Sequence, residues 1–556
     1  VPRANAPFRE YRLEAARSFA QTMIIVDDQA TQTAPEDRVI QLRPPKRLGV
    51  LSETVAAASD LQVAKSESAH ALDAKSLIDN AMELGLVCSV LRPKKGENIR
   101  KRVKRVARCA DIVCLDWEIY GDSGASATTL IKDIVLDDVR HNGRLRLIAI
   151  YTGDTTNNKI LDKISDSFSP AFRSRHDLKQ ESLQISTKTG LKIVCLFKAH
   201  GIQLPEPRKR NQVSENALPA RLQSEFASLA EGLLSNVAMA TIASIRSSTH
   251  HVLGRITARM DGPYFHHRAI LPNVVDAEEY AVDVVLSELK SAVDKQGVAR
   301  TFAGPNAVSA RIREMAATSE FTLKYVDGGG TKAFALNVDN VVNLIKNGYN
   351  ATQNTLGAAR PGKKAFLREI TTLFSDDRAT ARTDMHQFAI LTGVRSHPAE
   401  NRYKAAETVP PLALGTIVQD PKGQFLLCLQ ASCDSVRLTS KTDFLFIPLE
   451  EVDESPDHVV PISGKGASSY VGLSISRKSY ARVRSVEFQP SVNSQTVVVT
   501  KILRRQGFYF VSTDGVQYRW IANLKSRRAL RTAQQLGQDM GRLGFDEFEP
   551  FRKSSD

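Results

Sequence analysis

Four apolar runs in the first two hundred residues each stop on a polar side chain able to handle charge. Residues 22–26 end at Asp27-Asp28, 111–115 at Asp116, 145–151 at Thr152, and 191–197 at Lys198. Short, uninterrupted apolar runs suit strands buried on both faces, as in a parallel sheet covered by helices. Residues 86–91 supply a fifth such run. Between the runs the apolar spacing becomes helical: Ala74, Leu77, Ile78, Ala81 and Leu84 precede Gly85, and Ile99, Val103 and Val106 share one face of a basic helix over 98–108. Residues 126–134 form a third helical stretch. Five strands alternating with helices predict a flavodoxin-like, doubly wound parallel sheet. In such a sheet the strands' C-terminal ends share one rim, where ligands bind, so the polar run-ends are predicted to meet.

Three carboxylates on one rim repel one another unless a divalent cation lies between them. Carboxylates, a backbone carbonyl and waters are the ligand set of a hard ion, which points to Mg²⁺ held by Asp27, Asp28 and Asp116. With phosphoryl oxygens drawn to that ion, Asp116 is placed to attack phosphorus as a carboxylate nucleophile. Lys198 offers a point positive charge to one phosphoryl oxygen and Thr152 a hydroxyl to another.

The segments Met23-Ile-Ile-Val-Asp-Asp-Gln29, Ile112-Val-Cys-Leu-Asp-Trp117, Ile148-Ala-Ile-Tyr-Thr-Gly153 and Val194-Cys-Leu-Phe-Lys198 together resemble the signature strands of response-regulator receiver domains. The resemblance covers about residues 20–205, a little over a third of the chain. It implies an acidic metal pocket at Asp27 and Asp28, a phosphoacceptor at Asp116, a switch hydroxyl at Thr152 and a phosphate-sensing Lys198. It also implies that the backbone carbonyl of Glu118 completes the metal shell. Several features depart from the pattern. The gap from Asp28 to Asp116 is about twice the usual one, and an excursion over 30–68, rich in Pro, Ser, Thr and Ala, accounts for most of the excess. The gap from Thr152 to Lys198 is also long. Ala199 stands where receivers usually carry proline, and Cys195 where many place a switch aromatic.

The chain's 556 residues exceed what one core supports, and the pattern predicts a multidomain α/β protein. The receiver takes 1–205 with its insertion at 30–68. A Pro- and charge-rich linker follows at 206–219, then a mainly helical domain at 220–405. A β-rich domain of barrel or sandwich type occupies 406–556 and ends in a helix carrying Ala529, Ala533, Leu536, Met540 and Leu543 on one face. Within the helical region, Asp327-Gly328-Gly329-Gly330-Thr331 reads as a hairpin turn, since it lacks the spacing of a phosphate loop.

No apolar run is long enough to span a bilayer, so a cytoplasmic protein without membrane contact is expected. The six cysteines include no Cys-x-x-Cys pair and read as reduced thiols. Adjacent histidines at 250–251 and 266–267 point in different directions on a helix and are poor metal ligands. The net charge of +14 permits an acidic partner, and Lys525, Arg527, Arg528 and Arg531 cluster at the start of the last helix.

The expected function is that of a response-regulator-like signalling protein. Its receiver accepts a phosphoryl group on Asp116 and controls the C-terminal region, within a two-component phosphorelay. A looser resemblance to receiver proteins of bacterial conflict systems adds anti-phage defence. The partners implied are a cognate histidine kinase or an Hsp90-like ATPase, with nucleic acid and self-association as further candidates. The alternatives are a nucleic-acid-binding output regulator and an interaction scaffold with a degenerate receiver. The chain reads as a phosphoacceptor rather than an enzyme, with catalysis in the C-terminal half left open.

Overall fold

The computed structural model describes residues 2–3, 6–31, 72–141, 143–155, 158–199, 203–271, 274, 276–357, 359–398, 406–462, 470–475, 482–502 and 507–540. They fall into two compact units, one of 1–319 with 337–355 and one of 320–336 with 356–556.

The first unit is built on a sheet whose strands are β1 (Thr22–Val26), β2 (Val87–Leu91), β3 (Ile112–Leu115), β4 (Arg146–Thr152), β5 (Lys179–Gln180), β6 (Gln184–Ser186), β7 (Leu191–Lys198) and β8 (Gln212–Val213). The five expected strands pair in parallel in the order β2-β1-β3-β4-β7, the doubly wound order of a flavodoxin-like sheet. Sequence patterning expects five strands, and the described residues form eight in this sheet. The long gap before Lys198 holds two short helices (Ile160–Asp166 and Pro170–His176) and the hairpin β5–β6, whose second strand joins β7 antiparallel. These strands are too short and too polar to register as periodic patterns.

The excursion at 30–68 lies, beyond Thr31, outside the described residues. Its ends are tied together: Thr31 N–H donates to Leu72 O at 2.8 Å and Ala74 N–H to Thr31 O at 2.9 Å. An insertion whose ends meet costs the sheet little, because loop-closure entropy grows slowly with length.

The expected linker at 206–219 is folded. Residues Arg208–Asn211 make a 3-10 turn, β8 pairs with the end of β7, and a helix begins at Leu218 with Pro219 in its first turn. Proline there costs no hydrogen bond, since that amide lacks a helical acceptor. The expected helical domain opens, among the described residues, with the helices Leu218–Ala227 and Leu233–Arg255. One apolar core joins a face of the sheet (Met23, Cys114, Tyr151, Leu196) to the first helix (Phe8, Tyr11) and to Leu222, Phe226, Met239 and Phe302. The compact unit therefore runs past the boundary expected at 205. The opposite face packs beneath the helices Ile99–Ala107 and Ala125–Arg140.

The second unit contains the hairpin β9 (Phe321–Asp327) and β10 (Gly330–Leu336), turned by Gly328 and Gly329 at φ 59° and 81°. Positive φ at both turn positions is the geometry that favours glycine. Its larger sheet comprises β11 (Val394–Ser396), β12 (Thr416–Gln419), β13 (Phe425–Cys428), β14 (Thr442–Glu451), β15 (His458–Pro461), β16 (Tyr470–Ser474), β17 (Arg484–Phe488), β18 (Thr500–Lys501), β19 (Phe508–Val511) and β20 (Gln517–Leu524). Strands β17-β14-β13-β12-β20-β19 follow one another antiparallel. A bridge from Phe488 to Ser512 and the bond from Thr513 N–H to Glu487 O at 2.9 Å return the last strand to the first. The ring encloses Leu426, Phe444, Phe446, Phe488, Phe510 and Trp520. Its outer apolar face is covered by β15, β16 and the helix Ser526–Met540, through Ala529 and Leu536. The position of Leu543 lies outside the described residues. No helix among the described residues is long and apolar enough to cross a membrane.

Candidate phosphoacceptor site

Backbone pairing sets the rim. Asp27 N–H donates to Leu91 O at 3.2 Å and Asp116 N–H to Val26 O at 2.8 Å, so the residues just beyond β1 and β3 are held side by side. One carboxylate oxygen from each of Asp27, Asp28 and Asp116 lies within 4.8 Å of the other two. Asp27 and Asp116 are 2 % and 6 % exposed. Such burial is tolerable for carboxylates only with compensation.

Part of that compensation comes from the chain itself. Lys198 Nζ donates to Asp27 Oδ2 at 2.9 Å with both side chains buried, and Gln29 N–H donates to Asp27 Oδ1 at 2.8 Å. Asp28 Oδ2 accepts Tyr120 N–H at 2.8 Å. Tyr120 reaches it from a left-handed backbone, φ 64°, a conformation that strains a non-glycine residue by about 1 kcal/mol or more. Asp28 Oδ1 is buried and has no partner among the described residues.

The Asp116 carboxyl is pushed up to about 6, first by burial and then by Asp27 and Asp28, while Lys198 and the Trp117 N–H oppose the shift. Burial works against the Lys198 ammonium, but Asp116 and Asp27 outweigh it and its pKa rises. Lys198 therefore stays charged. The residues fit a divalent cation: one placed among the three carboxylates would offer Asp28 Oδ1 a partner and offset the repulsion that adds to the effect of burial on Asp116.

Thr152 is fully buried at the end of β4, in register with Phe197 next to Lys198. Its Oγ1 accepts Asp154 N–H at 3.0 Å, so the structure sets it on the rim but bonds it to its own turn. The Glu118 carbonyl accepts Gly121 N–H at 2.8 Å, and its carboxylate accepts Ser123 N–H at 3.1 Å. Trp117, beside Asp116, is pinned under Gly124, where a Cβ would stand 2.1 Å from the indole.

Sequence reasoning missed a third layer of contacts, made by the segment expected to be a linker. Pairing of β8 sets Val213 opposite Lys198. Tyr151 OH donates to Val213 O at 3.0 Å, and Asn211 Nδ2 to Cys195 O at 2.7 Å. Glu215 Oε2 accepts Asp73 N–H at 2.9 Å. Burial raises the Glu215 pKa, with the Asp73 N–H and Lys198 pulling the other way. A lone Glu in a Pro-rich stretch carries no signal of this kind. Cys195 itself is buried, its thiol pushed up to about 12 by that burial.

With this geometry in hand, the fold and site define a receiver. The family model for the response receiver domain matches residues 19–203, and this segment is a response receiver domain, as the four signature strands imply. No curated protein and no solved structure matches the chain.

Proposed function

We propose that this receiver takes a phosphoryl group on Asp116 and that the chain is a phosphoacceptor signalling protein rather than an enzyme. The supporting observation is the convergence of Asp27, Asp28 and Asp116 within 4.8 Å opposite a buried, charged Lys198. Mg²⁺ would be held by these carboxylates and the second lone pair of the Glu118 carbonyl, and supplies positive charge facing the phosphoryl oxygens. An Asp116 oxygen forms the new bond to phosphorus as the donor's bond to phosphorus breaks, the electron pair leaving with the donor. Lys198, now on Asp27, is within its side chain's reach of the added oxygens. Thr152 exchanges its local role for donation to one of them.

The changed state leaves through β8. Drawing Lys198 toward a phosphoryl group weakens its hold on Asp27 and changes the field at Glu215. The segment of β8 and the turn after it, carrying Val213 and Glu215, runs directly into the helix from Leu218. This route stands in for the relay that Cys195 and Ala199 lack. The resemblance supports a histidine kinase as donor, an Hsp90-like ATPase as an alternative partner, and a role in anti-phage defence.

Nucleic-acid binding is the weaker reading. The basic helix spends much of its charge internally: Arg100 pairs with Asp133, Arg102 with Glu97, and Lys104 and Arg108 with Asp137.

Incubation with acetyl phosphate and Mg²⁺ tests the reading by intact mass. Gain of one phosphoryl group, abolished in Asp116→Asn, is the expected result. No gain, or a gain that survives the substitution, refutes it.

A further inference from the structure

The last helix, Ser526–Met540, begins with its charge reversed. Its first turn holds Arg527 and Arg528 and no acidic residue, and Arg531 follows one turn later. A helix N-terminus carries partial positive charge and favours anions, not cations. Arg528 finds some compensation by donating to the Asp457 carbonyl. Arg531 has no hydrogen bond or ion pair among the described residues.

Arg528 and Arg531 both line a cleft of about 560 Å³ between this helix and the ends of β15 and β16. Nine of its eleven lining residues are polar or charged. Positions 528, 531, 535 and 538 follow one another at three- and four-residue steps, which sets them along one side of the helix. The amides of Gln535 and Gln538 are likewise without partners among the described residues. The most buried lining residue is His458, at the start of β15. It is 4 % exposed, and neither ring nitrogen has a partner among the described residues. Buried polar atoms are nearly always satisfied in folded proteins, so this imidazole marks a place where something polar is missing.

The groups left uncommitted are mainly donors. Two carboxylates share the cleft, but Asp457 Oδ2 already accepts Ser474 Oγ and Ile475 N–H, each at 2.8 Å, and Asp539 is also engaged. Burial, and then the neighbouring Arg528 charge, push the His458 pKa down to about 4, against the pull of Asp457. The ring is therefore neutral, with one N–H to donate. We infer that this cleft binds a phosphate dianion, free or carried on a small organic body, between Arg528 and Arg531 with His458 at its base. Two guanidiniums beside a helix N-terminus exceed the single charge of a carboxylate, and the several oxygens of a phosphate serve both planar forks and the imidazole together. The cleft's size is that of a small-molecule site.

Titration of the full chain with inorganic phosphate, glycerol 3-phosphate and glycerol tests this, without Mg²⁺ and at constant ionic strength. Calorimetry and hydrogen exchange are the readouts. Both phosphates should bind saturably and glycerol should not, with exchange slowed at 457–461, 470–475 and 526–540. Tighter binding of glycerol 3-phosphate identifies an organic phosphate as the occupant, and equal or tighter binding of inorganic phosphate identifies the free anion. Arg531→Gln should weaken binding about ten- to a hundredfold with unchanged circular dichroism, since Arg531 holds nothing else in place. Arg527→Gln lies at the same helix end but outside the cleft, and should bind like the unaltered chain. Absence of saturable phosphate binding overturns the inference. So does binding that Arg531→Gln leaves intact, binding that Arg527→Gln weakens equally, or protection confined to other segments.

Discussion

The receiver sheet and the C-terminal ring solve opposite problems with similar strands. In the receiver, β1, β3, β4 and β7 are buried along nearly their whole length and deliver their polar residues to one end. Two carboxylates and a lysine are buried there, with Asp28 Oδ1 left unsatisfied. In the ring, alternate residues of β13, β14 and β20 turn inward, and the interior is filled by aromatic and aliphatic side chains. Its buried polar groups at that core close on one another: Trp520 Nε1 donates to Asn523 Oδ1 at 2.7 Å, and Asn523 Nδ2 to Thr416 Oγ1 at 2.9 Å. The difference teaches where stability is surrendered for chemistry. A satisfied network only fixes a fold, whereas a rim of unbalanced charge is poised to bind something.

The largest effect expected from this contrast is in the ring. Trp520→Ala removes a fully buried indole and strands Asn523, for a loss of about 3–5 kcal/mol. Hydrogen exchange should report it in the second unit, with phosphoryl incorporation on Asp116 retained. Loss of incorporation would break the comparison.

Next in size is Asp116→Asn, which should stabilise the cation-free chain. The folded-state pKa of about 6 lies above the ordinary carboxylate value, so the folded chain holds this proton longer than the unfolded one. The group's contribution is therefore full below about pH 4, falls as pH rises through 6, and stays low above that. Asparagine carries no charge to bury, and Lys198 keeps Asp27 as a partner. A gain of about 2–3 kcal/mol above pH 7, vanishing near pH 4, is expected from denaturant titration. Equal stability of the two proteins at pH 8 would contradict the assignment.

These expectations trace back to features that were unequally legible in the sequence. The rim could be read because buried parallel strands are continuous apolar runs, and a charged residue closing such a run marks the point where the strand leaves the core. Asp27, Asp28, Asp116 and Lys198 accordingly converge where expected. The closure of the ring could not be read, because it depends on β17 and β20, whose exposed faces carry Arg484, Glu487, Gln517 and Arg519. β8 and Glu215 were hidden by their brevity and their neighbours. A two-residue strand has no periodicity, and the prolines at 205 and 207 mimic a linker while their carbonyls hold a hydrogen-bonded turn, accepting Lys209 N–H at 3.1 Å and Arg210 N–H at 3.3 Å.

Addition of Mg²⁺ should stabilise the first unit alone. At ten to a hundred times its dissociation constant, binding contributes about 1.4–2.7 kcal/mol through mass action, and below pH 6 it should release a proton from Asp116. The effect should disappear in Asp28→Asn, and equal protection of both units would point to non-specific binding.

The smallest expected effect falls on Glu215. Glu215→Gln keeps an oxygen for the Asp73 N–H and removes only a half-buried charge near Lys198, so stability should change by no more than about 1 kcal/mol. Phosphoryl incorporation should persist. What should change is communication. In the unaltered chain, phosphorylation is expected to alter hydrogen exchange over 211–217 and the following helix, because Lys198 shifts its charge away from β8 and the turn carrying Glu215. In Glu215→Gln the same modification should leave exchange there nearly unchanged, since the group that feels the lysine is gone. If the unaltered chain shows no change at 211–217 on phosphorylation, β8 is only a packed edge. The rim would then signal through some other element.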